Sequence, residues 1–167
     1  MDIINDCVPV PRYFNQAVSE AQSHYVDSLD KTFGQYVGNG YERAQTNGYG
    51  DETRYRDNNH DGWVDEKIIK SYNKKVVVQN TNSHKDNMFD YYTEYIDGKT
   101  SKIVMDKDKN GAYDIVELYE EGDIQQRIED TNGDKEPDLY TFYTDEGMKK
   151  VDTRNWLEKL TSFIFGN

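Results

Sequence analysis

Residues Tyr113–Glu129 read YDIVELYEEGDIQQRIE, and this stretch sets out one structural unit of the chain. It contains two segments of six or seven residues that are rich in Ile, Val and Tyr, which is typical of β-strands. Glu121-Gly122 forms a turn signal between them. Two short strands joined by a tight turn predict an antiparallel hairpin.

An acidic loop overlaps the start of this unit. Residues Asp106–Glu117 read DKDKNGAYDIVE, with oxygen-bearing side chains at positions 1, 3, 5, 9 and 12 and glycine at position 6. Ca²⁺ takes six to eight hard oxygen ligands, and a short loop supplies them at this spacing. The predicted ligands are Asp106, Asp108, Asn110, the main-chain carbonyl of Ala112, Asp114 and Glu117. The alternative is a polar surface turn, since Asp, Asn and Gly favour turns.

Two further loops carry a related pattern. Asp57–Asp65 keeps the glycine at position 6, whereas Asp130–Asp138 has its glycine at position 4, and neither has a glutamate at position 12. Both predict a weaker calcium site. The predicted ligands of the two loops are Asp57, Asn59, Asp61, Trp63 and Asp65, and Asp130, Asn132, Asp134, Glu136 and Asp138.

The loop at Asp106 resembles the EF-hand calcium loop over all twelve positions. The segments on either side look like strands, not helices, so the resemblance is to the loop alone. Loops of this type between strands resemble those of bacterial tandem calcium-repeat proteins. That resemblance implies up to three structural Ca²⁺ ions and an extracellular or cell-surface setting.

A repeat of about 24 residues runs through the chain. Acidic or amide-rich loops begin at Asp57, Asn80, Asp106 and Asp130, and a turn follows most of the tyrosines at 49, 72, 95, 119 and 143. The loop at Asn80 has amides where the others have carboxylates, which predicts a degenerate repeat without an ion. Strand, turn, strand and loop together predict an antiparallel meander, with turns along one edge of the sheet and loops along the other.

The two ends of the chain carry helical patterns. Apolar residues recur at steps of three and four from Arg12 to Tyr36, and an apolar cluster from Trp156 to Ile164 follows possible caps at Asp152 and Thr153. We therefore expect a mainly β, α+β fold with one helix packed at each end. The expected organisation is a helical segment over 1–40, the calcium-loop β-repeat over 41–152 and a helix over 153–167, all within one compact domain.

Composition limits the function. The 167 residues carry a formal net charge of −12, with 14 Tyr, 6 Phe and 2 Trp. So many aromatic residues indicate a folded chain, and the acidity argues against a nucleic-acid partner. No stretch is apolar enough for a membrane span, and the first residues lack the regions of a secretory signal peptide. Either export does not use that route, or Met1 is not the natural start.

Motifs for catalysis are missing from the sequence: it contains no G-x-S-x-G, H-E-x-x-H or Walker loop. We therefore expect a calcium-binding β-repeat that acts as a structural or protein-interaction module, and not an enzyme. One alternative is a secreted effector or toxin-associated protein. Another is an acidic inhibitor or immunity protein that binds a basic partner without metal.

Overall fold

The computed structural model describes residue 17 and the ranges 35–37, 40–81 and 88–153. These residues form eleven strands in one sheet. The strands are β1 Gln35–Val37, β2 Gly40–Thr46, β3 Glu52–Asp57, β4 Glu66–Lys70, β5 Lys75–Asn80, β6 Tyr91–Ile96, β7 Lys99–Met105, β8 Ile115–Glu120, β9 Asp123–Glu129, β10 Leu139–Thr144 and β11 Gly147–Asp152.

The strands lie in the sheet in chain order, from β1 at one side to β11 at the other. Each pairs antiparallel with the next, as in β8 and β9, where Val116 lies opposite Ile128. This order confirms the predicted meander and the hairpin over Tyr113–Glu129. In a meander, alternate connections lie on opposite edges of the sheet. The acidic loops therefore share one edge, here the loop edge, and the tight turns share the other, the turn edge.

The expected α+β class is wrong. The described part of the chain is all-β and contains no helical element. Most of the two expected helices, from Arg12 to Tyr36 and from 153 onward, lies outside the described residues. The end of the first falls on β1, where Gln35 and Tyr36 pair with Glu42 and Tyr41 of β2. Ala17 has helical backbone geometry, but a single residue does not make an element.

The core lies on one face of the sheet. Val104, Val116, Ile128 and Tyr140 face one another across β7, β8, β9 and β10, and none is more than 5% exposed. Ala17 belongs to the same buried cluster. Strand alternation places these side chains on one face, while the residues between them lie on the other. This row fixes the register of the strands and thereby the places where the loops begin.

Two-residue turns close three hairpins of the turn edge, those of β6–β7, β8–β9 and β10–β11. Asp97 and Gly98 have φ of 50° and 80°, and Glu121 and Gly122 have φ of 54° and 97°. Positive φ at both central residues is the turn geometry that matches the right-handed twist of paired strands. Within the described ranges, nothing helical has the length and apolar character needed to cross a bilayer.

Candidate metal centre

Besides the short β1–β2 connection, four longer loops lie along the loop edge, and we number them I to IV. Loop I spans 57–65, loop II 81–90, loop III 106–114 and loop IV 130–138. They join β3 to β4, β5 to β6, β7 to β8 and β9 to β10. Residues 82–87 of loop II lie outside the described ranges.

The first aspartate of loops I, III and IV organises its loop from a buried position. Asp57, Asp106 and Asp130 are 0%, 2% and 8% exposed. Each accepts hydrogen bonds from the backbone N–H groups of the fourth and sixth loop residues. The donors to Asp57 are His60 at 2.7 Å and Gly62 at 2.9 Å. Those to Asp106 are Lys109 at 2.6 Å and Gly111 at 2.8 Å, and those to Asp130 are Gly133 and Lys135, both at 2.7 Å. These bonds wrap the chain around one carboxylate.

The fourth and sixth residues both take the left-handed conformation. Their φ angles are 69° and 95° at His60 and Gly62, 60° and 84° at Lys109 and Gly111, and 77° and 73° at Gly133 and Lys135. This explains the displaced glycine of loop IV. Its glycine occupies the other left-handed position, and Lys135 takes the conformation that glycine has in loops I and III. The three loops therefore have one backbone shape.

The ninth residue ties the end of each loop back to its beginning. Asp65 accepts from Asn58 N at 2.7 Å and Asp114 from Lys107 N at 2.8 Å. In loop IV, Asp138 accepts from the hydroxyl of Thr131 at 2.7 Å. The first and ninth carboxylates are thus held by different parts of the same loop.

The third and fifth side chains stay near the surface and fix the peptides that follow them. Each accepts a hydrogen bond from the backbone N–H two residues ahead, which is an Asx turn. The pairs are Asn59 with Asp61, Asp61 with Trp63, Asp108 with Asn110, Asn110 with Ala112, Asn132 with Asp134, and Asp134 with Glu136. The predicted main-chain ligands Trp63, Ala112 and Glu136 are thereby oriented through their own N–H groups.

Loop III brings its carboxylates together. Asp106, Asp108 and Asp114 each offer an oxygen within 4.8 Å of the others'. Ca²⁺–oxygen distances of 2.3–2.6 Å place two ligands of one ion up to about 5 Å apart, so this spacing suits a shared ion. In the described part of the chain, loops I and IV show no such group of three acids.

Burial makes the charge of Asp106 costly. Burial is the main reason why the pKa of Asp106 lies above its ordinary value, and the Asp114 carboxylate raises this pKa further. The N–H groups of Gly111, Lys109 and Asn110 oppose it. A cation between the carboxylates would favour the ionised form.

Glu117, the predicted twelfth ligand, is not part of this group. It lies within β8 opposite Ile103 of β7 and Arg127 of β9. Its carboxylate accepts from the Arg127 guanidinium at 2.9 Å and from the Tyr119 hydroxyl at 2.8 Å. Burial, followed by this bond to Glu117, raises the pKa of Tyr119 to about 12. The side chain is engaged on the sheet face.

The structure also corrects the start of the degenerate loop. Thr81, not Asn80, occupies the first position, because its N–H donates to the carbonyl of Asp65 at 2.9 Å. Asp106 N donates in the same way to Asp90, and Asp130 N to Asp114, both at 2.8 Å. These bonds form a ladder that links each loop to the next. Asp90 is therefore the closing aspartate of loop II, which sequence reasoning missed although it follows Asp65 and precedes Asp114 at the repeat spacing.

A cleft of about 480 Å³ separates loops III and IV. It is lined by Lys107, Asp108, Asp114, Ile115, Glu129, Asp130, Thr131, Asn132 and Gly133. An additional Cβ at Gly133 would meet no atom within 4 Å. The junction between loops III and IV is therefore open and acidic.

Comparison with known proteins gives little further guidance. No protein-family model matches the chain, and no curated protein matches it. A solved structure titled "Crystal Structure of TarM" is similar with a TM-score of 0.49 at 16% sequence identity. The similarity covers 89% of this chain and 29% of that one.

Proposed function

We propose that this chain is a calcium-binding β-sheet module in which up to three ions fasten neighbouring strands along the loop edge. The observation that carries the proposal is the convergence of Asp106, Asp108 and Asp114 in loop III. Loop III is the primary site, and loops I and IV, which share its backbone shape, are secondary sites.

The ions would act structurally. Each loop joins two adjacent antiparallel strands, so an ion held by the first and ninth aspartates would clamp the end of a strand pair. The loops leave no helices to reorient, unlike those of a helical calcium switch. Three Ca²⁺ ions would also reduce the formal charge from −12 to −6. The module would present its sheet to a protein partner outside the cell, as the likeness to tandem calcium-repeat loops implies.

Native mass spectrometry with and without calcium tests the proposal directly. We expect up to three bound ions and a melting temperature that falls in chelator. At free calcium of a hundred times Kd, each filled site would raise Tm by about 5–10 °C. The proposal fails if no ion binds and chelator leaves Tm unchanged.

Asp108→Asn isolates loop III because Asp108 is exposed and an amide oxygen can still accept from Asn110 N. We expect this variant to fold and to bind calcium more weakly in loop III, since the weaker loops I and IV also carry asparagine at this position. The matched control is Asp145→Asn, the same charge change in the exposed turn between β10 and β11. Equal calcium affinities of the two variants, measured by titration, would contradict the assignment of loop III.

One observation favours a metal-free function instead. The buried aspartates already accept two or three backbone N–H bonds each, as Asp106 does, so the loops can hold their shape alone. An acidic inhibitor of a basic protein would need only loops that hold their shape without a metal ion. The chelator experiment separates the two functions, since the metal-free function predicts no change in Tm.

A further inference from the structure

Loop II fills the position of a calcium loop but lacks its carboxylates. It lies between loops I and III in the ladder, joined to them through Thr81 and Asp90. Its first residue is Thr81, and residues 82–87 include a single acid, Asp86. The path from Thr81 to Asp90 is one residue longer than the corresponding path in the other loops.

Asp90 remains at the closing position and is deeply buried, with 1% exposure. Its Oδ2 accepts from the Thr81 hydroxyl at 2.9 Å. The Nζ of Lys109 lies 3.9 Å from the same oxygen. Lys109 is the fourth residue of loop III, so its ammonium reaches back from one loop to the preceding one.

We propose that the Lys109 ammonium is a built-in cation for loop II, standing at its closing aspartate in place of a metal ion. A buried carboxylate needs a counter-charge or a set of donors. Loops I and IV give their closing aspartates backbone or hydroxyl donors from the second loop residue, and loop III does the same. In loop II, Asp90 accepts from the first loop residue, Thr81, and lies near a charged group of the next loop. The comparison with a metal rests on the calcium-binding function proposed above, whereas the Lys109–Asp90 contact does not.

The fourth residue contacts an earlier part of the chain in two of the loops, as Lys109 does with Asp90 in loop III. In loop I, the ring of His60 lies 5.4 Å from that of Tyr41 on β2. In loop IV, the fourth residue is Gly133, and the junction with loop III is the open cleft. Lys109 is thus the one fourth-position residue of these three loops that carries a fixed positive charge.

Lys109→Met in chelator tests the contact without reference to calcium. We expect Tm to fall by roughly 3–8 °C, because the change removes a positive charge from beside a buried carboxylate. The control is Lys107→Met, the same loss of charge from the exposed second position of the same loop. The same substitution is also made in the Asp90→Asn variant, where Lys109→Met should lower Tm only a little because the carboxylate is already gone. An equal loss from Lys107→Met, or an undiminished loss in the Asp90→Asn background, overturns the proposal.

Calcium titration of Lys109→Met tests the substitution for a metal. If the ammonium replaces an ion, added calcium should raise the Tm of this variant by more than it raises the Tm of Lys107→Met, which removes the same charge from loop III. A calcium-induced gain no larger than that of Lys107→Met overturns this part. Should the wild type itself not respond to calcium, the proposed function fails, while the chelator result still decides the Lys109–Asp90 contact.

Discussion

In loop III, the sequence spacing predicts more metal ligands than the backbone brings together. The first and ninth aspartates, Asp106 and Asp114, converge with Asp108. Glu117 lies apart from this group, because β8 begins at Ile115 and carries position 12 away from the loop. A strand rises about 3.3 Å per residue, so three residues move Glu117 about 10 Å beyond Asp114. Spacing alone does not show whether a loop is followed by a helix or a strand.

Glu117 and Asp114 should therefore respond differently to loss of charge. Asp114→Asn should weaken calcium binding by about tenfold or more, comparable to the loss of a supporting contact at a metal site. Glu117→Gln should leave it unchanged, because that carboxylate is held by Arg127 and Tyr119. Isothermal titration of both variants makes the comparison. Equal weakening of calcium binding by the two substitutions would show that Glu117 is a ligand.

At the scale of one element, the loop is defined by two left-handed residues rather than by the position of one glycine. Sequence reasoning treated loop IV as irregular because its glycine stands at position 4. The structure gives positive φ to both Gly133 and Lys135, so either position can hold the glycine. The start of loop II was misplaced by one residue for a related reason. Composition does not reveal register, which the hydrogen bond from Thr81 N to Asp65 O fixes.

Lys135→Gly should stabilise loop IV. The left-handed conformation costs a non-glycine residue about 1–2 kcal/mol, and part of this is offset by the greater chain entropy of glycine in the unfolded state. We expect a rise in Tm of about 1–3 °C in chelator, measured by thermal melting. Lys107→Gly, at a residue without positive φ, should instead lower Tm. A fall for Lys135→Gly would show that the lysine side chain matters more than the backbone.

At the scale of the whole molecule, the repeat predicted the sheet and its two edges because each unit has the same two strands and two connections. The terminal helices were a weaker inference. The apolar stripe ending at Tyr36 has a helical period, but Gln35 and Tyr36 pair with β2. Gly34, Gly38 and Gly40 flank this short segment, and a three-residue strand has no period of its own to detect. The row of Val104, Val116 and Ile128 shows that the core is organised across strands, which a one-dimensional pattern does not reveal.

The charge of the loop edge gives a last prediction. Loops III and IV are two strand spacings apart, about 10 Å, which equals the Debye length at about 0.1 M salt. Without calcium, their carboxylates repel one another, so added NaCl should raise Tm. With calcium bound, the repulsion is largely neutralised, and the same addition should change Tm much less. Melting curves over a NaCl series, in chelator and in calcium, give both slopes. Equal slopes would show that bound calcium does not relieve the repulsion between the loops.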